Sequence, residues 1–258
     1  MKKWLLAATL AATALSGMAQ AKEWKQVRFS IEGAYPPFSK TEADGTLSGF
    51  DVDMANALCK EMQVKCKLVA QDWDGMIPSL LARKYDAIIA AMSITEERKK
   101  KVDFTHKYAL VPNNFIAKKG ANLEFTKAGL KGVKIGVQRA TTHDKYLTDN
   151  YGDEVEIVRY GSFDEAYLDL ANGRITAVLG DASALEEGVL NSADGDKYEF
   201  VGPSLTDPKW FGDGFGIATR KQDKDLTEKL NKAILALREK GVYQEIQAKY
   251  FDFDVYGD

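Results

Sequence analysis

The chain has 258 residues, of which 35 are lysine or arginine and 38 aspartate or glutamate, for a formal charge of −3. No basic patch or arginine-rich run stands out, which argues against a nucleic-acid partner. Beyond the N-terminus no stretch approaches the ~20 consecutive apolar residues of a membrane span, and no repeat at periods of ~20–50 residues is evident.

The first 21 residues have the order of a secretory signal peptide: a basic lead (Lys2, Lys3), an apolar run over 5–15, and the small-x-small signal Ala19-Gln20-Ala21. The run is too short for a comfortable membrane anchor. The mature chain is therefore expected to start near Lys22 and to be freely soluble outside the cytoplasm. The leader carries Lys2, Lys3 and no acid, so 33 basic residues face 38 acidic ones in the remaining 237, a net of −5. That length suffices for one large domain or two lobes with real cores.

Residues 27–31 alternate like a strand and run into Glu32 and the turn Tyr35-Pro36-Pro37-Phe38. Phe50, Met54, Leu58 and Met62 predict a helix over 50–62, and the alternation of Val64, Cys66 and Leu68 with lysines predicts a strand over 64–69. Residues 77–83 look helical, and 86–91 is an apolar run of the kind buried in parallel sheets. Ser93 to Glu96 reads as a capping box opening a helix. The pattern restarts with strands at 133–137, 155–158 and 175–179, the last ending in Gly180-Asp181. Helices are expected to open at Thr141 and at the capping box Ser162-Phe163-Asp164-Glu165. A loop around Pro203 and Pro208 leads to a glycine-rich stretch over 211–218, and amphipathic helices near 223–239 and 242–250 finish the chain. Strand–helix alternation of this kind predicts open parallel α/β sheets. A second sheet inserted into the first would set 109–113 beside 203–212 as a double crossover.

Cys59 and Cys66 suit a disulfide in an exported protein. On one continuous helix their Cα atoms would stand roughly 10 Å apart, beyond the ~4.4–6.8 Å of a bridge, so the chain must turn between them, as the helix-to-strand pattern implies. The alternative is two buried free thiols; a metal site is disfavoured for want of nearby histidines.

Ligands of open α/β sheets sit beyond the carboxyl ends of strands. Standing there are Glu32 and Tyr35, Ser93 and Arg98, Thr141, Thr142 and His143, and Asp181. This set offers no convincing nucleophile or acid–base pair. It does suit a free amino acid, with a cation for the carboxylate and an acid for the ammonium. Arg98, in the first turn of its helix where the macrodipole disfavours a cation, either binds an anion through its planar fork or pairs with Glu96 or Glu97. Asp181 faces ligand or caps the following helix. Thr141 and Thr142 offer either a cap alone or free N–H groups for a carboxylate as well. Tyr35 and Trp73 belong to a core or flank a flat cation. His106 and His143 do not make a metal set, and surface or capping roles are their default.

Almost the whole mature chain resembles the periplasmic solute-binding proteins for polar and cationic amino acids that serve ATP-driven importers. The resemblance rests on Tyr35-Pro36-Pro37-Phe38, Gly49-Phe50-Asp51-Val52-Asp53, Cys59 with Cys66, Ile77-Pro78-Ser79-Leu80, the run from Ser93 to Arg98, Gly136-Val137, Thr141-Thr142-His143, Asn172-Gly173-Arg174, Phe211-Gly212-Asp213-Gly214 and the run from Lys249 to Asp254. It implies two α/β lobes, 22–110 with 211–258 and an inserted 111–210, joined by two crossing segments that close on a ligand. It further implies that Arg98 holds the α-carboxylate with Ser93 and Thr142, that Asp181 holds the ammonium, that Tyr35 and Trp73 flank the side chain, and that Glu32 faces its positive end. Gln138 and His143 occupy positions that vary among relatives. Glu32 stands where many relatives have aspartate, and Ala90 and Ala91 stand where lysine and histidine binders carry two serines. Glu32 and Thr141-Thr142-His143 favour arginine first, then ornithine or lysine.

A histidine, opine or glutamine binder of the same class is the alternative. An enzyme on the same fold, such as a dehydratase using Glu32 or His143 as acid or base, is the rival from another class, and a ligand-presenting sensor is a third. Neither cofactor nor metal is expected. The expected partners are the amino acid and a membrane-embedded permease complex, with the binding protein monomeric.

Overall fold

A computed structural model describes residues 23–257, so the expected signal peptide, 1–21, lies outside the described residues. Strand β1 (Gln26–Ile31) starts the first sheet, followed by a three-stranded excursion through β2 (Ala34–Tyr35), β3 (Ser39–Thr41) and β4 (Leu47–Ser48). Helix α1 (Phe50–Glu61) buries Phe50, Met54 and Leu58, the periodic residues that predicted it. Strand β5 (Lys65–Ala70), helix α2 (Met76–Leu81), strand β6 (Ala87–Ile88), helix α3 (Glu96–Lys99) and strand β7 (Asp103–Ala109) complete the first pass.

The chain then builds a second sheet from β8 (Asn113–Lys118), β9 (Lys134–Gln138), β10 (Glu156–Tyr160), β11 (Ala177–Asp181) and β12 (Tyr198–Leu205). Helices α4 (Thr142–Tyr151), α5 (Phe163–Ala171) and α6 (Ala182–Leu185) connect them. After α7 (Pro208–Phe211), strand β13 (Phe215–Thr219) returns to the first sheet, and α8 (Lys224–Glu239) and α9 (Val242–Gln247) close the chain.

The strand orders are β5-β1-β6-β13-β7 and β10-β9-β11-β8-β12. The chain changes sheet between Ala109 and Asn113 and again between Leu205 and Phe215. The two crossings are neighbours, because Asn113 pairs with Leu205 in the ladder and its side-chain amide donates to the Leu205 carbonyl at 3.1 Å. Both sheets are mixed rather than wholly parallel: β13 runs antiparallel to β6 and β7, and β8 antiparallel to β11 and β12. Each sheet is buried on both faces, with Met76, Leu80 and Ile88 on one side of the first and Phe29, Phe50 and Leu58 on the other.

Several local readings need correction. The apolar run 86–91 yields a strand only at Ala87–Ile88, because the backbone turns at Ala91, whose φ is +44°. The cap of α3 is Thr95, whose hydroxyl oxygen accepts the Arg98 amide at 3.2 Å, and not Ser93. The segment around Pro203 is the edge strand β12, irregular between Val201 and Leu205, where a residue without an N–H is tolerated. Strands β7, β8 and β13 and the short β2, β3 and β4 escaped the sequence reading, and α9 ends earlier than expected. The capping box at Ser162 and Glu165 is present, and Cys59 and Cys66 form a disulfide with Cα atoms 5.6 Å apart.

Candidate ligand-binding site

Strand ends of both sheets open onto one cavity, whose empty space of about 290 Å³ includes the part open to solvent. Glu32 follows the last residue of β1, Gln138 ends β9 and Asp181 ends β11. All ten residues singled out from the sequence line it: Glu32, Tyr35, Trp73, Ser93 and Arg98 from one side, and Gln138, Thr141, Thr142, His143 and Asp181 from the other. Ala90 and Ala91 complete the wall, as does Phe163, which sequence reasoning missed. Phe163 directly follows an N-cap and reads as an ordinary core residue; its ring lies 5.0 Å from that of Tyr35.

Among the described residues, no carboxylate forms an ion pair with Arg98. Its Nη1 donates to the Ser93 carbonyl at 3.0 Å and its guanidinium lies 5.2 Å from the Trp73 ring centroid. Glu96 pairs instead with Lys99 at 2.8 Å, so the surface-pair reading of Arg98 fails. Burial lowers the Arg98 pKa to about 10, opposed by the charges of Asp181 and Glu97, and it remains a cation at neutral pH. Because Thr95 caps α3, the Ser93 hydroxyl is left to the cavity.

Asp181 is buried and caps nothing, although it occupies the N-cap position of α6. Its Oδ2 accepts the Tyr35 hydroxyl at 2.5 Å, and its Oδ1 lies 3.7 Å from Nε2 of His143. His143 Nε2 contacts Oδ1 of Asn113 at 2.7 Å, while its Nδ1 is buried and unpartnered. Thr141 does cap α4, accepting the Asp144 amide at 3.2 Å and donating to the Gln138 carbonyl at 2.7 Å. Thr142 is thereby the first helical residue and is free to face the cavity.

Glu32 accepts a hydrogen bond from Gln138 at 2.5 Å. Loss of water pushes its carboxyl up to about 7, with the Gln138 bond pulling the other way and the charges of Asp164 and Asp72 adding to the rise. Trp73 and Tyr35 belong to hydrophobic clusters and line the cavity at once. Further bonds cross between the two sides: Trp73 Nε1 donates to the Ala140 carbonyl at 3.3 Å, and Arg139 Nε to Asp74 at 2.6 Å. The site therefore offers one guanidinium, two carboxyl groups, a helix start and two aromatic rings within a water-poor space. That is a binding inventory for a small molecule bearing both signs of charge.

A family model for bacterial extracellular solute-binding proteins, family 3, matches residues 27–253. The chain is 53% identical to an L-arginine-binding protein of Pseudomonas aeruginosa, over 100% of this chain and 99% of that protein. It is 43% identical to a lysine/arginine/ornithine-binding periplasmic protein of Escherichia coli K12, over the whole of both. Among solved structures, a Salmonella typhimurium periplasmic binding protein described for high arginine specificity superposes with a TM-score of 0.81 at 36% identity, covering 88% of this chain and 99% of that one. From the match along nearly all of its described residues, and from the two mixed sheets linked by paired crossings, the chain belongs to the bacterial extracellular solute-binding proteins of family 3.

Proposed function

We propose that this protein is a periplasmic, non-enzymatic carrier that captures a cationic L-amino acid by lobe closure and delivers it to the permease of an ATP-driven importer. Arginine is the first ligand, with ornithine and lysine next. One lobe is 22–110 with 211–258, the other 111–210, and the mature monomer begins after about Ala21. The observation that carries the reading is the convergence of Arg98, Glu32 and Asp181 from two sheets on one cavity. Their charges total −1, and arginine brings +1.

In this assignment Arg98 grips the α-carboxylate through its fork, supported by Ser93 and the α4 start at Thr142. Asp181 takes the α-ammonium, Tyr35 and Trp73 sandwich the side chain, and Glu32 with Gln138 meets the guanidinium. Thr141 and His143 shape the wall. Ala90 and Ala91 remove hydroxyls that a histidine or lysine specialist would use, which supports arginine over either. A neutral ligand would leave Glu32 facing no cation in a dry cleft, where its raised carboxyl holds its proton near neutrality, so such a ligand forgoes the charge pairing that a guanidinium gains.

Calorimetry with Arg98→Ala and Asp181→Ala tests the assignment. Each variant should lose at least about a hundredfold in arginine affinity while retaining the wild-type circular dichroism spectrum. Folded variants that bind arginine like the wild type would remove the cleft assignment.

A further inference from the structure

Behind the cavity wall lies a third acid, with no cation against it among the described residues. Asp51, the second residue of α1, is 0% exposed. Its Oδ2 accepts the Ala91 amide at 3.0 Å and its Oδ1 the Tyr108 hydroxyl at 2.8 Å; the same amide also donates to the Tyr108 hydroxyl oxygen at 3.0 Å. The groups that bear on its charge are Tyr108 from β7, the Ala91 amide from the turn after β6, and Glu32 from beyond β1. Burial pushes its carboxyl up to about 7, and the charge of Glu32 adds to that rise. The start of α1 offsets part of the cost of burial, as helix N-termini do for acids.

Ala91, which Asp51 holds, is itself part of the cavity wall and sits at φ +44°, a left-handed backbone unusual for a residue with a side chain. The charge of Asp51 is therefore one residue removed from the ligand, on the far side of a wall it keeps in shape. Because its field reaches Glu32, it also reaches a cation placed against Glu32.

We propose that Asp51 is a specificity-determining residue of the ligand site, whose buried charge, acting through the Ala91 wall, favours a positively charged side chain over a neutral one of the same shape. This inference rests on the amino-acid-binding reading above. Arginine and citrulline form the natural pair of probes, since they differ in side-chain charge and scarcely in outline.

The experiment measures the Kd of both amino acids by calorimetry at pH 8 for the wild type and for Asp51→Asn. The substituted amide can accept from Ala91 through its oxygen and donate to the Tyr108 oxygen, so the wall keeps its supports. Arginine affinity should fall about tenfold, the scale of an indirect charge effect in a partly screened interior, with citrulline changed by less than about twofold. Equal losses for both ligands, or an unchanged arginine-to-citrulline ratio, would overturn the proposal and reduce Asp51 to a structural support. Should Asp51→Asn fail to fold, Glu32→Gln decides: with the other nearby acid gone, the arginine-to-citrulline ratio should still rise several-fold between pH 6 and 8 as Asp51 ionises, and a ratio that does not change with pH would overturn the proposal. A wild type that does not prefer arginine to citrulline would instead sink the functional reading, before any variant is made.

Discussion

Acidification should weaken arginine binding through Glu32. In its desolvated position against Gln138, this carboxyl ionises at about 7 rather than at 4.5. A guanidinium placed against it favours the ionised form and returns the value to the ordinary carboxylate range or below. Between those limits the carboxyl is protonated before arginine binds and ionised afterwards, so binding expels a proton. The affinity then falls by up to tenfold for each pH unit below 7, or about two decades at pH 5, equivalent to about 2.7 kcal/mol. Calorimetry from pH 8 to 5, in buffers of different ionisation enthalpy, should show close to one proton released near pH 6. Glu32→Gln should flatten most of that slope. Asp51 also titrates near 7 without touching the ligand, and any slope left in Glu32→Gln is its share. A flat wild-type profile, or the full slope surviving in Glu32→Gln, would refute the reasoning.

The same residue separates stability from binding. Its value in the fold lies above that of an unfolded chain, so the native state binds more protons between pH 4.5 and 7 and loses stability as pH rises through that window. The loss is up to about 3 kcal/mol for Glu32. At pH 8, Glu32→Gln should therefore melt at a higher temperature than the wild type while binding arginine far more weakly.

Two other variants test what holds the lobes rather than the ligand. Arg220, 1% exposed, donates to Asp223 at 2.6 Å, to Asp86 at 3.2 Å and to the carbonyls of Leu80 and Tyr85. Arg220→Met leaves the buried Asp223 without its cation, although Asp86 keeps Arg28 and the Leu80 carbonyl keeps the Arg83 amide, and should cost roughly 3–5 kcal/mol in urea denaturation, with arginine Kd unchanged in the folded fraction. Replacing both Cys59 and Cys66 by serine opens a loop with a sequence separation of 7. It should cost about 2.5 kcal/mol by chain entropy, again without changing Kd, because neither cysteine lines the cavity.

The candidate site was more legible in the sequence than the fold that presents it. Arg98 and Asp181 were visible because a charge just past a buried strand, or in the wrong turn of a helix, has few reasons to be there. Strand direction was not visible: the apolar run of β13 looks the same whether it pairs parallel or antiparallel, and only the route back from β12 decides. Strand β12 itself hid behind Pro203, whose missing N–H is harmless on an edge. The cap of α3 was misplaced by two residues because Ser93 and Thr95 carry the same chemistry, and only backbone geometry chooses between them. Asp51 was legible as part of a motif but not as a buried charge, since its partners, Ala91 and Tyr108, are 40 and 57 residues away.

On the proposed carrier reading, distribution of the site over two sheets would make capture and closure one process. The first side supplies Arg98 and Glu32, complementary to the carboxylate and the tail of a cationic amino acid, so an open cleft can already hold the ligand there. Asp181, Thr142 and Gln138 join only when the second side arrives. Turning a closed-to-open ratio from 1:99 to 99:1 requires about 5.5 kcal/mol of differential affinity. Closing over an ammonium with no carboxylate opposite would cost roughly 3–5 kcal/mol, which two hydrogen bonds at about 1 kcal/mol each do not offset, so the closed state depends on Asp181. Asp181→Ala saturated with arginine should therefore fail to contract in small-angle X-ray scattering, even where Arg98 still holds the carboxylate. A contraction equal to that of the wild type would place the closing force elsewhere in the cleft.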